Sequence, residues 1–150
     1  MTNTKPVTDA AERLLADTYT LYLKTQNYHW NVTGPMFNTL HTLFETQYAE
    51  LALAADEIAE RIRALGAYAP GSYAAFGRLT VIGEAEPDTR AGDMIRKLAE
   101  DQTLLAKSAK ALIAAGTAAG DDVSVDLGVR RMQVHEKNAW MLRSHLEREA

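Results

Sequence analysis

The stretch HTLFETQYAELALAADEIAE, His41 to Glu60, decides the fold. Its Leu, Ala and Ile residues recur at helical spacing with no Gly or Pro to interrupt them, so it reads as one piece of a long helix. It opens with His41 and Glu45, four residues apart, and closes with Asp56 and Glu60, also four apart. Residues at that spacing share one helical face, as a metal site requires. At 1.5 Å per residue, however, His41 and Asp56 are separated by about 22 Å of rise, so no single ion touches both pairs. The helix carries two half-sites that cannot meet each other.

The surrounding composition limits what those half-sites can be. The chain has 150 residues, enough for one domain with a real core, and it is expected to form a single domain over residues 1–150. With no cysteine, there can be no disulfide, no thiolate chemistry and no Cys-ligated zinc or iron–sulfur centre, so a metal must be held by nitrogen and oxygen. The formal net charge of −4 argues against nucleic-acid binding through a basic surface. There is no apolar run long enough for a membrane span, and MTNTKPVTDAAERLL lacks the apolar core of a signal peptide. A cytoplasmic protein is expected.

Working outward from the central stretch, four segments carry helical periodicity. The first is expected to start near Asp9, where Asp9 and Glu12 have capping-box spacing, and to run to about Trp30, before the break at Gly34-Pro35. The second spans about Phe37 to Leu65 and stops at Gly66. A long connection follows, AYAPGSYAAFGRLTVIGEAEP, with room for one short helical turn near Ser72 to Phe76. The third segment begins after Pro87, places Met94, Ile95, Leu98, Leu105 and Leu112 on one side, and is expected to end at Gly116 and Gly120. Asp121 or Asp122 then caps a fourth, with Val125, Met132, Ala139, Leu142 and Leu146 facing inward. Short, long and short links predict an all-α four-helix bundle with one long crossover containing a short helix, the ferritin-like arrangement.

In such a hairpin His29, just before the break, lies level with His41, just after it. With Glu45 one turn further on, they offer two nitrogens and a carboxylate, a set that suits iron, zinc or manganese better than calcium. The stranded Asp56 and Glu60 find their use if the second helix packs antiparallel on its own copy about a twofold axis level with Glu50 and Leu51. An isologous contact then sets His41 and Glu45 of one chain against Glu60 and Asp56 of the other. The same charges also fit a solvated face laced with pairs such as Glu57–Arg61. A di-iron site within one chain needs Glu-x-x-His on two helices, and no Glu here is followed three residues later by His. His135 and His145 lack carboxylates at ligand spacing and read as packing or surface residues. There is no phosphate-binding glycine loop and no nucleophile elbow.

YHWNVTGPMFNTLHTLFE, the Asp56-x-x-x-Glu60-Arg61 segment, the following RALG and the late EKNAWMLRSHLE together resemble the Dps family of mini-ferritins, DNA-binding proteins from starved cells. The likeness spans almost the whole chain. It implies a hollow shell of twelve copies with ferroxidase sites at twofold interfaces, ligated by His29, His41, Glu45, Asp56 and Glu60. It implies oxidation of Fe(II) to Fe(III), with hydrogen peroxide or oxygen as oxidant, storage of ferric mineral inside, and protection against oxidative stress. Trp30, beside His29, would lie close to the site and either intercept stray oxidising equivalents or fill a dimer contact. Asp121, Asp122 and Asp126 resemble acids lining the family's threefold iron pores, where Arg130 would offset part of their field. Glu45 departs from the family pattern, which usually has Asp there; the extra methylene changes its reach by more than an ångström. The alternative is a nucleoid-compacting DNA binder with secondary iron chemistry. Family members of that kind use a Lys/Arg-rich terminal arm, whereas the first twelve residues here hold only Lys5 and the sequence closes on EREA.

Overall fold

Proline decides where the first helix begins. Pro6 occupies the first turn of α1 (Lys5–Asn31), where its fixed φ suits the helix and its missing N–H costs nothing. The helix therefore starts a turn earlier than the Asp9–Glu12 spacing predicts. Thr4 is the N-cap, without a side-chain hydrogen bond, and Asp9 lies inside the helix paired with Lys5 at 3.1 Å. The computed structural model describes residues 3–146; the closing residues EREA, whose charge bears on DNA, lie outside the described residues.

Val32 leaves α1 in an extended conformation, and Gly34 turns the chain at φ +108°, where a side chain would be strained. The second helix, α2 (Phe37–Ala64), then runs back along α1. Within the crossover, α3 (Tyr73–Leu79) is longer than the single turn expected and is capped by Ser72, whose hydroxyl accepts from the Ala75 amide at 3.2 Å. The alternating Leu79–Ile82 segment forms no strand; Ile82 instead buries itself in the core. Next come α4 (Ala91–Ala119) and α5 (Asp122–Arg143). Gly120, at φ +67°, is the C-cap of α4. Gly116 does not end the helix: it is buried inside α4, where a Cβ would come within 3.0 Å of Val125 on α5.

The described residues thus form five helices and no strand, in the order expected of a four-helix bundle with a helical crossover. Residue numbers rise along α1 as they fall along α4, as the Lys24–Asp101 and Asp17–Ser108 contacts require. Asp17 fastens the crossover to the bundle. One carboxylate oxygen accepts from the Thr80 hydroxyl at 2.7 Å and the Val81 amide at 2.9 Å, the other from the Ser108 hydroxyl at 2.6 Å. Two apolar clusters fill the interior, one around Leu14, Ile58 and Leu112, the other around Tyr28, Phe44 and Leu98. The inward residues expected on α4 are buried, as are Ala139 and Leu142 on α5, while Val125, Met132 and Leu146 are half-buried.

Candidate metal centre

The end of α1 and the start of α2 bring two imidazoles face to face. The rings of His29 and His41 stack with centroids 3.8 Å apart and planes 13° from parallel. Each is held by the other's backbone: His29 Nδ1 donates to the His41 carbonyl at 2.7 Å, and His41 Nδ1 donates to the His29 carbonyl at 2.8 Å. A carbonyl oxygen only accepts, so in the neutral ring the proton sits on Nδ1 and Nε2 keeps its lone pair. Both rings are oriented with one nitrogen open for a ligand bond, as hydrogen bonds to the other ring nitrogen of ligating histidines generally arrange. Phe37 stacks on His41 at 5.0 Å, and Tyr48 meets His29 edge-on at 5.2 Å.

Glu45, Asp56 and Glu60 are exposed. Among the described residues of one chain, no three His, Cys, Asp or Glu side chains gather closely enough to hold an ion. The structure therefore brings the two histidines together and leaves Asp56 and Glu60 at the far end of α2. Asp56 lines a cleft of about 540 Å³ together with Tyr19, Ala52, Ala59, Tyr73 and Phe76. Trp30 points outward, 62% exposed.

Between the two pairs, α2 presents Ala49, Ala52 and Leu53 to the outside, with Leu53 74% exposed. Neither residue named for the middle of the helix lies on that face. Leu51 is fully buried, and the partly exposed Glu50 is tied to α5, where it receives both guanidinium nitrogens of the buried Arg131. The expected Glu57–Arg61 pair is absent as well. Arg61 reaches Asp121 at 2.7 Å and the Ser124 hydroxyl at 3.0 Å, while Glu57 accepts from Arg130 at 2.7 Å. Cross-bundle partners with a defined geometry outcompete the flexible neighbour one turn away.

Of the three acids assigned to a pore, Asp121 is the N-cap of α5. Its carboxylate accepts from the Ser124 amide and hydroxyl and from Arg61. Burial opposes its charge, but the hydrogen bonds from Ser124 and the Arg61 guanidinium prevail and hold its pKa below the ordinary value. Asp126 accepts from Arg130 at 2.9 Å, and Asp122 is exposed. The hydrogen bonds from Glu57 and Asp126 raise the Arg130 pKa further above its ordinary range.

His135 is a core residue, as expected, but a polar one: Nδ1 donates to Gln102 Oε1 at 2.7 Å and Nε2 accepts from Arg131 at 3.3 Å. Half-buried His145 bonds the Met141 carbonyl. Sequence spacing gave no sign of the Glu50–Arg131–His135–Gln102 chain, because its members come from three helices. Nor did it reveal the carbonyl locks on the histidine pair.

The ferritin-like domain model matches residues 8–150, which makes the chain a ferritin-like protein. A low temperature-induced protein of Nostoc is 39% identical over 135 residues, 89% of this chain and 75% of that one. DNA protection during starvation protein 2 of Bacillus anthracis is 34% identical, covering 95% of this chain and 97% of its own. The Dps crystal structure from Staphylococcus aureus superposes with a TM-score of 0.95 at 33% identity, over 99% of this chain and 100% of that one. The chain belongs to the Dps family of ferritin-like proteins.

Proposed function

We propose that this chain is an iron-storing ferroxidase that protects its cell from peroxide, with sites shared between two copies. The observation that carries this is the reciprocal lock on His29 and His41, which leaves both Nε2 lone pairs open on a chain whose second acidic pair, Asp56 and Glu60, starts about 22 Å further along the same helix. An antiparallel α2–α2 contact through Ala49, Ala52 and Leu53 closes the gap. It sets His29, His41 and Glu45 of one chain against Asp56 and Glu60 of the other, twice per dimer. Imidazole and carboxylate ligands suit Fe(II) and also stabilise Fe(III). Two Fe(II) supply the two electrons that reduce hydrogen peroxide to water, which avoids one-electron release of hydroxyl radical. Family membership supports assembly into a hollow shell of twelve copies that stores the ferric product in the cytoplasm. DNA compaction is the weaker reading. Twelve copies at −4 each repel phosphate, so protection of DNA would come from removing iron and peroxide.

Co-expression tests the shared site. His41→Ala removes one half-site and Asp56→Ala the other, so each homodimer is defective at both sites. A mixed dimer gathers both changes in one site and leaves the other wild type. Random mixing should therefore restore about a quarter of the wild-type ferroxidase sites. If each chain built its own site, mixing would restore none, and that result would refute the assignment.

A further inference from the structure

A row of tyrosines leaves the histidine pair and ends in a cleft that Asp56 also lines. The His29 ring meets Tyr48 edge-on, with centroids 5.2 Å apart. Tyr48 meets Tyr22 at 5.8 Å and 73°, and Tyr22 meets Tyr19 at 5.5 Å and 53°. Tyr19 lines the cleft that also contains Asp56. Tyr19 and Tyr22 lie one turn apart on α1, and Tyr48 faces them from α2. The row thus begins at one half-site of α2 and finishes in the cleft lined by Asp56 of the other half-site.

Phenylalanine would fill this space equally well. What tyrosine adds is a phenol that can lose an electron and a proton together. The Tyr22 hydroxyl accepts from Gln26 Nε2 at 3.5 Å, so its oxygen has a polar neighbour within the row. Burial, then the neighbouring Tyr73 and Tyr22, raise the Tyr19 pKa and keep that phenol protonated.

We propose that Tyr48, Tyr22 and Tyr19 form a one-electron relay joining the two iron sites of a dimer, so that two Fe(II) ions in different sites reduce one molecule of hydrogen peroxide. This rests on the shared-site ferroxidase described above. In that dimer the iron beside Asp56 is held by the partner's imidazoles, so one chain's row runs from its own histidine site to the neighbouring site. The first Fe(II) gives one electron to peroxide, whose O–O bond breaks to hydroxide and a hydroxyl-level oxidant. Tyr48 gives that oxidant a hydrogen atom, forming water and a tyrosyl radical. Tyr22 refills Tyr48, and Tyr19 refills Tyr22. The second Fe(II) supplies the electron that restores Tyr19, with a proton from water, and becomes Fe(III). In sum, two Fe(II), one hydrogen peroxide and two protons give two Fe(III) and two waters. Direct transfer would otherwise have to cross about 22 Å of protein.

The test loads the anaerobic assembled protein with one Fe(II) per site and adds one peroxide per dimer. It follows Fe(III) absorbance, hydroxyl spin adducts and freeze-quenched radical spectra. Wild type is expected to oxidise both irons of each dimer, to yield little spin adduct and to show a transient tyrosyl radical. Tyr22→Phe should assemble and bind Fe(II) as wild type does. It should leave one iron of each dimer reduced, with hydroxyl adducts rising several-fold. If Tyr22→Phe matches wild type in stoichiometry and adducts, the relay is overturned while the ferroxidase assignment stands. If wild type neither binds nor oxidises Fe(II), the ferroxidase assignment falls and the relay with it.

Discussion

His135 has no accessible surface, and its neutral form is the one its neighbours accept. Gln102 Oε1 accepts a hydrogen bond from Nδ1–H and Arg131 donates to Nε2, so a second proton would face a guanidinium inside the core. Burial first, and Arg131 second, lower its pKa to about 3, from about 6.5 in an unfolded chain. Between those values the unfolded chain binds the extra proton, so stability rises with pH across that window. The contribution is complete above about pH 6.5 and is lost as pH falls towards 3; fully developed, it is roughly 5 kcal/mol. Urea midpoints measured from pH 7.5 to 4 should therefore stay level at first and then fall. His135→Gln should be less stable at pH 7 yet lose less on acidification. An equal acid slope in both proteins would show that other groups control the decline.

Among the elements, the contact of α4 with α5 depends on a glycine. A Cβ on Gly128 would lie 2.7 Å from Ile113 Cγ1 and 3.0 Å from the Ala109 carbonyl oxygen. The Ile113 side chain can shift, but the backbone carbonyl on a packed helix cannot do so cheaply. Gly128→Ala gains helix propensity of about 1 kcal/mol. It incurs overpacking of about 1–3 kcal/mol, so a net loss of stability is expected. Thermal unfolding of Gly128→Ala beside Gly77→Ala checks this, since a Cβ at Gly77 meets nothing within 4 Å. A stabilised Gly128→Ala would mean the helices separate freely at this crossing.

For the whole molecule, the proposed iron-storing shell requires charge at the start of α5 to guide Fe(II) inward. Asp121 is committed to its cap and to Arg61, so the field at that end of α5 comes from Asp122 and from Asp126, the latter partly neutralised by Arg130. Replacing Asp122 and Asp126 with Asn should slow iron uptake most at low ionic strength, because steering between exposed charges is screened by salt. Arg130→Gln should have the opposite effect by releasing Asp126 and Glu57. Stopped-flow uptake rates at two salt concentrations distinguish steering from altered packing, which would be independent of salt.

Residue patterns along the chain account for the long helices, most of their boundaries and the residue types of the candidate site, but not for the start of α1 at Lys5 or the burial of Gly116 inside α4. Helical periodicity is a property of neighbours along the chain, and Gly34, Gly66 and Gly120 supply the positive φ angles at which the long helices turn. The spacing of His41, Glu45, Asp56 and Glu60 along one helix was legible for the same reason. Only the tertiary structure decided which way each residue on those helices faces and which partner it takes. Leu51 went to the core and Glu50 to Arg131, and Arg61 left Glu57 for Asp121, a choice made across sixty positions of chain. The lock between His29 and His41 belongs to that second group. It joins side chains to backbone carbonyls across a helical hairpin, and no pattern of residue types records where a carbonyl oxygen points.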